Sequence, residues 1–405
     1  MAARTLLRDA RIWNGSDDAL TPGRDVLIEA GRIVDVGTIV SAPGAETISM
    51  QDKFLMPGLI DAHFHAYWGV ASVVELERMP LSYLAHHASG LLERALMRGF
   101  TTIRDAGGAD WGLWRAVEEG LVQGPRVFFS GRALSQTGGH GDSRQAHEDP
   151  CGCRFVANLS EVADGADDVR KRARETLRRG AHQLKIFLSG GIVSPTDPIW
   201  MAQYADDEVR AAVEEADRWG TYVMAHAYTA DSARRAAALG VRSVEHGNLI
   251  DAGAAEAMAN AGVFLTPTLV AYESLLRHGD AMNLSPASRA KVTEVADRGA
   301  EAVRIAAAAG VAIGFGTDLG GPFQDMQRDE FALRSAVQAP IDVLRSATSV
   351  NAAMMKQTGR LGCIAPGSLA DLIAVEGDPR ETLAMFASGQ PIPFIMKGGE
   401  VMRCV

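Results

Sequence analysis

Two histidines two residues apart, His63 and His65, close a short apolar run that reads Leu-Met-Pro-Gly-Leu-Ile-Asp-Ala-His-Phe-His from Leu55. In a β-strand, residues i and i+2 share a face, so both imidazoles would project into one space, an arrangement that suits a divalent cation. A bare His-x-His is more often two hydrogen-bonded polar residues at a strand end, so the remaining ligands must come from elsewhere in the chain. Three other apolar runs supply them. Tyr222-Val223-Met224-Ala225 ends in His226, Ser243-Val244-Glu245 ends in His246, and Ala312-Ile313-Gly314-Phe315-Gly316-Thr317 ends in Asp318. Four of the ten histidines thus fall at strand ends, and His and carboxylate groups gathered at one mouth are the expected form of a metal site.

Another run, Leu184-Lys185-Ile186-Phe187-Leu188, carries a lysine among apolar neighbours. Lys185 has two readings. Its head snorkels to a carboxylate or to solvent; or burial neutralises the amine, which adds carbon dioxide and becomes a carbamate able to bridge two metals.

Positioning these groups requires parallel strands that end on one side. Eight apolar runs are centred near Ile60, Ile103, Val127, Ile186, Val223, Val244, Phe264 and Ile313. Helical stretches alternate with them at 83–98, 112–119, 162–179, 207–219, 230–239, 254–260, 286–309 and 325–337, with apolar residues at helical spacing, as in Val209, Ala212, Val213 and Ala216. The alternation predicts an α/β fold, a (β/α)8 TIM barrel over residues 57–359, whose chemistry sits at the C-terminal strand ends. A doubly wound sheet would carry a Gly-rich fingerprint after its first strand, and none appears. The flanks read differently. Short strands at 5–12, 25–29, 33–36 and 46–50, and again at 368–375 and 392–401 with a turn at Lys397-Gly398-Gly399-Glu400, predict a small discontinuous β-sandwich domain formed by residues 1–56 and 360–405.

Composition narrows the partners. The 405 residues are 47% hydrophobic and 22% charged, ordinary for a globular chain with a large core. A net charge of -10 argues against nucleic acid and anionic membrane and favours a small-molecule partner. Cys151, Cys153, Cys363 and Cys404 are too few for a disulfide framework. The Cys-x-Cys pair has no second pair at zinc-ribbon spacing and is expected to be a loop of free thiols. Charges at Arg4, Arg8 and Asp9 interrupt the first ten residues, and no apolar run approaches the length of a membrane span, so a soluble, cytoplasmic protein is expected.

The series Pro57-Gly58-Leu59-Ile60-Asp61-Ala62-His63-Phe64-His65, Lys185, His226, His246 and Gly316-Thr317-Asp318 resembles the metal-dependent amidohydrolase superfamily over nearly the whole chain. Three longer strings look like one branch of it, the Xaa-Pro (prolidase-like) dipeptidases and ochratoxin amidohydrolases. They are Ser189-Gly190-Gly191-Ile192-Val193-Ser194-Pro195-Thr196-Asp197-Pro198, His226-Ala227-Tyr228-Thr229 and Val244-Glu245-His246-Gly247-Asn248-Leu249-Ile250.

The resemblance implies two Zn2+ bridged by N6-carboxylated Lys185, with His63, His65 and Asp318 on one ion and His226 and His246 on the other. Asp318 would then take a proton from the attacking water and pass it to the leaving amine. Tyr228 is expected either to donate to the developing oxyanion or to pack as a rim aromatic. His140, in the loop Gln136-Thr137-Gly138-Gly139-His140-Gly141-Asp142, either binds a substrate carboxylate, as in the similar branch, or is a solvated loop histidine. Trp200 and Met201 are expected to add an apolar wall.

The expected activity is hydrolysis of dipeptides or N-acyl amino acids with a free C-terminal carboxylate, a dipeptidase or carboxypeptidase reaction that extends to ochratoxin-type amides. The alternatives are a cyclic-amide or imidazolone hydrolase on the same fold, and an inactive scaffold. A homo-oligomer is implied by the likeness alone.

Overall fold

The computed structural model describes residues 4–17, 21–39, 41–77, 79–144, 159–194, 196–386 and 389–405. Cys151 and Cys153 lie outside the described residues. The central part is built from two parallel sheets. One runs in the order Ser160–Val162, Ala133–Ser135, Leu184–Phe187, Val223–Thr229, Ser243–Leu249, Phe264–Thr266; the other is Leu59–Phe64, Phe100–Asp105, Arg126–Phe129. Every residue of Leu59–Phe64 and of Phe100–Asp105 is buried, the pattern of parallel strands covered on both faces. Helices supply the cover. In Asp206–Arg218 the buried stripe is Val209, Ala212 and Ala216, and Asp206, Asp207 and Glu208 load the first turn with charge that complements the helix dipole. Val223–Thr229 passes directly into Ala230–Ala238, because the Thr229 side chain accepts from Ser232 N and caps the helix.

The eighth apolar run is not a regular strand. Ile313 makes one parallel bridge, to Leu265, yet its neighbours tie the two sheets together. Leu265 N donates to Ala312 O at 3.0 Å and Gly314 N to Leu265 O at 2.7 Å on one side; Ala62 N donates to Phe315 O at 2.9 Å and Asp318 N to His63 O at 2.8 Å on the other. A Cβ at Gly316 would sit 2.7 Å from His63 Cβ, so only glycine lets this run lie against the histidine strand. On the far side of the smaller sheet, Phe129 O accepts at 2.8 Å from His182 N, two residues before Leu184–Phe187 of the larger one. The fold is α/β and TIM-barrel-like.

Both ends of the chain meet in one further sheet, ordered Glu400–Cys404, Phe394–Lys397, Leu372–Glu376, Lys53–Pro57, Arg4–Ile12, Thr21–Glu29, Arg32–Gly37, with Glu46–Ser49 beside Arg4–Ile12. Its middle strand, Lys53–Pro57, was not foreseen, since Pro57-Gly58 reads as a break. It is fully paired, with Met56 opposite Ile373. Alternation gives the sheet two buried faces. Phe54 and Met56 pack with Phe100, Phe315 and Phe331 of the α/β part, whereas Leu55 packs with Leu7, Leu372 and Met396.

Other differences have local causes. The helix expected over 286–309 is two, Pro286–Ala296 and Gly299–Ala308. The second begins at a glycine, a poor helix former, whose added Cβ would meet Leu269 at 2.8 Å. Leu269–His278 was missed because it starts from Thr268 in a left-handed conformation (φ 48) with no side-chain cap. Among the described residues no helix is long and apolar enough to cross a membrane.

Candidate active site

The strand ends converge. His63, His65, Lys185, His226, His246 and Asp318, with Tyr228 and His140, line one cavity. One ligand atom each from His63, His246 and Asp318 lie within 4.8 Å of one another. Asp318 sits between the histidines, its Oδ1 3.4 Å from His63 Nε2 and 3.1 Å from His65 Nε2, and its Oδ2 3.9 Å from His246 Nε2. Ring centroids of His63 and His246 are 5.0 Å apart and those of His226 and His246 4.7 Å, so the imidazoles form an arc.

The second nitrogen of each ring is engaged. Nδ1 of His63 lies 2.8 Å from Glu245 Oε2, Nδ1 of His65 2.9 Å from Gly107 O, and Nδ1 of His246 2.8 Å from Thr268 Oγ1. His226 is turned the other way, with Nε2 3.1 Å from Gly190 O. Carbonyl and carboxylate oxygens only accept, so the nitrogen facing them donates and the other keeps its lone pair. The nitrogens left to ligate are therefore Nε2 of His63, His65 and His246, all turned toward Asp318, and Nδ1 of His226. Imidazole nitrogens beside a carboxylate are a donor set that fits zinc or a similar divalent ion.

Electrostatics favour that use. Burial pushes the His63 and His226 imidazoles well below their ordinary range and His246 down to about 4, with Lys185 acting in the same direction on each. Neutral imidazole is the ligating form. For His65 the lowering by burial is outweighed by Asp318. Desolvation would raise the Asp318 carboxyl, but His63, His65 and His246 hold it well below the usual carboxylate range. The Lys185 amine, 3% exposed, is brought down to about 8 by burial against the pull of Glu245 and Asp318.

Backbone strain gathers here as well. His246 (φ 78), Thr268 (φ 48) and Asp318 (φ 52) adopt left-handed conformations, which cost about 1–3 kcal/mol each and persist where the surroundings demand them. At His246 the effect is specific. Two consecutive strand residues both serve the site, Glu245 reaching His63 and His246 reaching Asp318.

The loop after Ala133–Ser135 brings His140 onto His226, their rings stacked at 4.4 Å. His140 Nδ1 lies 2.7 Å from Ser194 Oγ. A Cβ at Gly191 would come within 2.0 Å of His140 Cε1, so the Gly190-Gly191 pair is a spacing requirement. Lys291 Nζ donates to the carbonyls of Gly191, Ser194 and Asp197 at 2.9, 3.1 and 2.5 Å, clamping this loop to the helix Pro286–Ala296. Tyr228 OH accepts from Tyr272 OH at 3.3 Å, leaving its own proton to donate, and burial raises its pKa so that it stays protonated.

The cavity, about 120 Å³, adjoins a chamber of about 380 Å³ with which it shares Trp68, Val73, Val193, Leu275 and Met282. Trp200 and Met201, expected in the wall, line neither space, and Trp200 is 76% exposed. The apolar lining comes instead from Leu275 of the missed helix Leu269–His278, Met282 just beyond it, and Val193.

Comparison with known proteins agrees with this geometry. The amidohydrolase family profile matches residues 54–402. Ochratoxinase of Aspergillus niger is 33% identical over 368 residues, 86% of this chain and 75% of that protein. The crystal structure of a prolidase complexed with N-methylphosphonate-L-proline superposes with a TM-score of 0.97 at 43% identity, covering 100% of both chains. A Xaa-Pro dipeptidase with methionine bound in its active site superposes at 0.89 with 27% identity, over 99% of this chain and 100% of that one. The chain therefore belongs to the amidohydrolase family, as a metal-dependent amide hydrolase of the branch that holds the Xaa-Pro dipeptidases and ochratoxinase.

Proposed function

We propose that this enzyme hydrolyses the amide bond next to the C-terminal residue of dipeptides or N-acyl amino acids that carry a free carboxylate, at a two-zinc centre. The ligands would be His63, His65 and Asp318 for one ion and His226 and His246 for the other, with carboxylated Lys185 between them. The observation that carries the reading is the convergence of these six side chains, with His140 and Tyr228, on one cavity. The amine of Lys185, titrating at about 8, spends part of its time neutral, and the neutral form is the one that adds carbon dioxide. Bound there, the ions would polarise the substrate carbonyl and bring the attacking water's pKa toward neutrality.

The chain's own residues do the rest. Asp318, held ionised by three imidazoles, takes the water's proton on a carboxylate oxygen and delivers it to the departing nitrogen. Tyr228 donates its phenolic proton to the oxygen on which charge develops. His140, in the wall of the same cavity, binds the substrate carboxylate. The apolar chamber bounded by Trp68, Leu275 and Met282 accommodates an apolar side chain or acyl group, which brings ochratoxin-type amides within range.

The proposal extends to architecture. The contacts of Ala312, Phe315 and His182 with both sheets support closure into a (β/α)8 barrel over residues 57–359, with 1–56 and 360–405 forming one sandwich domain. A homo-oligomer completes it, on the resemblance alone. The test is turnover of an N-acyl amino acid, its methyl ester and a cyclic amide by zinc-loaded protein. Cleavage of the free acid well above the ester is expected. Equal rates on acid and ester, or a preference for the cyclic amide, would overturn the substrate class.

A further inference from the structure

One partner of the four imidazoles differs from the others in kind. His65 and His226 face backbone carbonyls and His246 faces a hydroxyl, but His63 faces a carboxylate, Glu245 Oε2, at 2.8 Å. That carboxylate is itself held. Its Oε1 accepts from Arg104 Nη2 at 2.8 Å and from Ser243 Oγ at 2.6 Å. Arg104 is fixed in turn by Nη1 to Ser243 Oγ at 3.0 Å and by Nε to Ala62 O at 2.6 Å, one residue before His63. Arg104 and Glu245 are both 0% exposed.

A fully buried ion pair is weak evidence for stability, because apolar residues of similar size often do as well. Its geometry here has another consequence. Glu245 can only accept, so it locks the proton on Nδ1 of His63 and aims Nε2 at Asp318. A carboxylate behind an imidazole also makes it a stronger ligand, an effect worth about 10–100-fold in metal affinity where such partners have been removed. We propose that Glu245, clamped by Arg104 and Ser243, is a positioning residue that sets the tautomer of His63 and the affinity for the cation His63 holds. This rests on the reading of His63 as a ligand.

The experiment compares full-length wild type, Glu245→Gln, and the double variant Arg104→Met/Glu245→Gln, which removes the charge that the single change leaves unpaired. Zinc affinity and stoichiometry are measured by chelator competition, and the His63 tautomer by 15N NMR of the metal-free protein. Wild type is expected to bind two ions. In whichever variant folds, one of the two affinities falls by about 10–100-fold with the other retained, and His63 loses its single-tautomer signature. Wild-type affinity for both ions in a folded variant, or an unchanged His63 tautomer, overturns the role of Glu245. A wild type that binds no metal would instead overturn the reading of the site.

Discussion

The two edges of the candidate site are built from different materials. The His63 and His65 edge rests on buried charge: Glu245 with Arg104 behind His63, Asp61 accepting from His63 N, Thr317 and Gln327, and Asp105 accepting from the backbone of Ala66, Gly107 and Ala109. Burial raises both aspartates to about 6, so ionising them has a cost that their hydrogen bonds only partly offset. The His226 and His246 edge rests on neutral partners, Gly190 O and Thr268 Oγ1, and on the aromatic faces of His140 and Tyr228. The first edge is backed by carboxylates; the second is backed by a carbonyl, a hydroxyl and aromatic rings. The physical contrast is between imidazoles backed by buried charge and imidazoles backed by neutral partners.

Asp318 touches both edges, so its loss has the largest expected effect. Asp318→Asn keeps the shape and removes the proton acceptor; kcat on an N-acyl amino acid should fall by at least about 10²–10⁴-fold, and unchanged turnover would sink the mechanism. Asp105→Asn tests the charged edge. Three N–H donors would lose a full carboxylate, with an expected cost of about 1–3 kcal/mol in denaturant unfolding and weaker zinc binding. Thr268→Val tests the neutral edge. Losing one hydroxyl partner of His246 should cost about 0.5–1.5 kcal/mol, and a larger loss than that of Asp105→Asn would reverse the contrast between the edges.

His182 sharpens the comparison from outside the cavity. Burial pushes it down to about 4, yet it packs among Phe128, Phe129 and Trp114 and accepts from Phe129 N at 3.2 Å. A depressed histidine is therefore not by itself a ligand. Between about 6.5 and 4 the unfolded chain binds a proton at this position that the folded chain refuses, so the group destabilises the fold as pH drops through that window. His182→Gln, which can still accept from Phe129 N, should flatten the fall in stability there by at most about 1.4 kcal/mol per pH unit and leave stability at neutral pH almost unchanged. An unaltered slope would mean that His182 takes its proton while folded.

Much of this contrast was invisible in the sequence, for identifiable reasons. The ligand candidates were legible because each ends or interrupts an apolar run, where a histidine, lysine or aspartate stands out. Glu245 stood beside His246 and drew no role, since alternation sends neighbouring strand residues to opposite faces and nothing in a non-glycine residue announces the left-handed turn at His246 (φ 78) that lets both serve the site. Arg104, in the run centred near Ile103, has no role that the sequence marks, because its partner Glu245 is far away in the chain. Thr268 was silent because nothing in its residue type announces its left-handed conformation (φ 48), and the helix it starts went unread, along with Tyr272 and Leu275. Trp200 shows the reverse error, a large apolar residue in a loop that points outward at 76% exposure. In the terminal sheet, the pairing of Lys53–Pro57 with Leu372–Glu376 joins residues more than three hundred apart, a contact no local pattern encodes.

The most direct test is diffraction at the zinc absorption edge from crystals grown with zinc and bicarbonate. Two anomalous peaks are expected, one against Nε2 of His63 and His65, the other against Nδ1 of His226 and Nε2 of His246, with density for a carboxylate on Lys185 between them. Peaks elsewhere, or none within reach of these six side chains, would contradict the metal centre on which the hydrolytic reading stands.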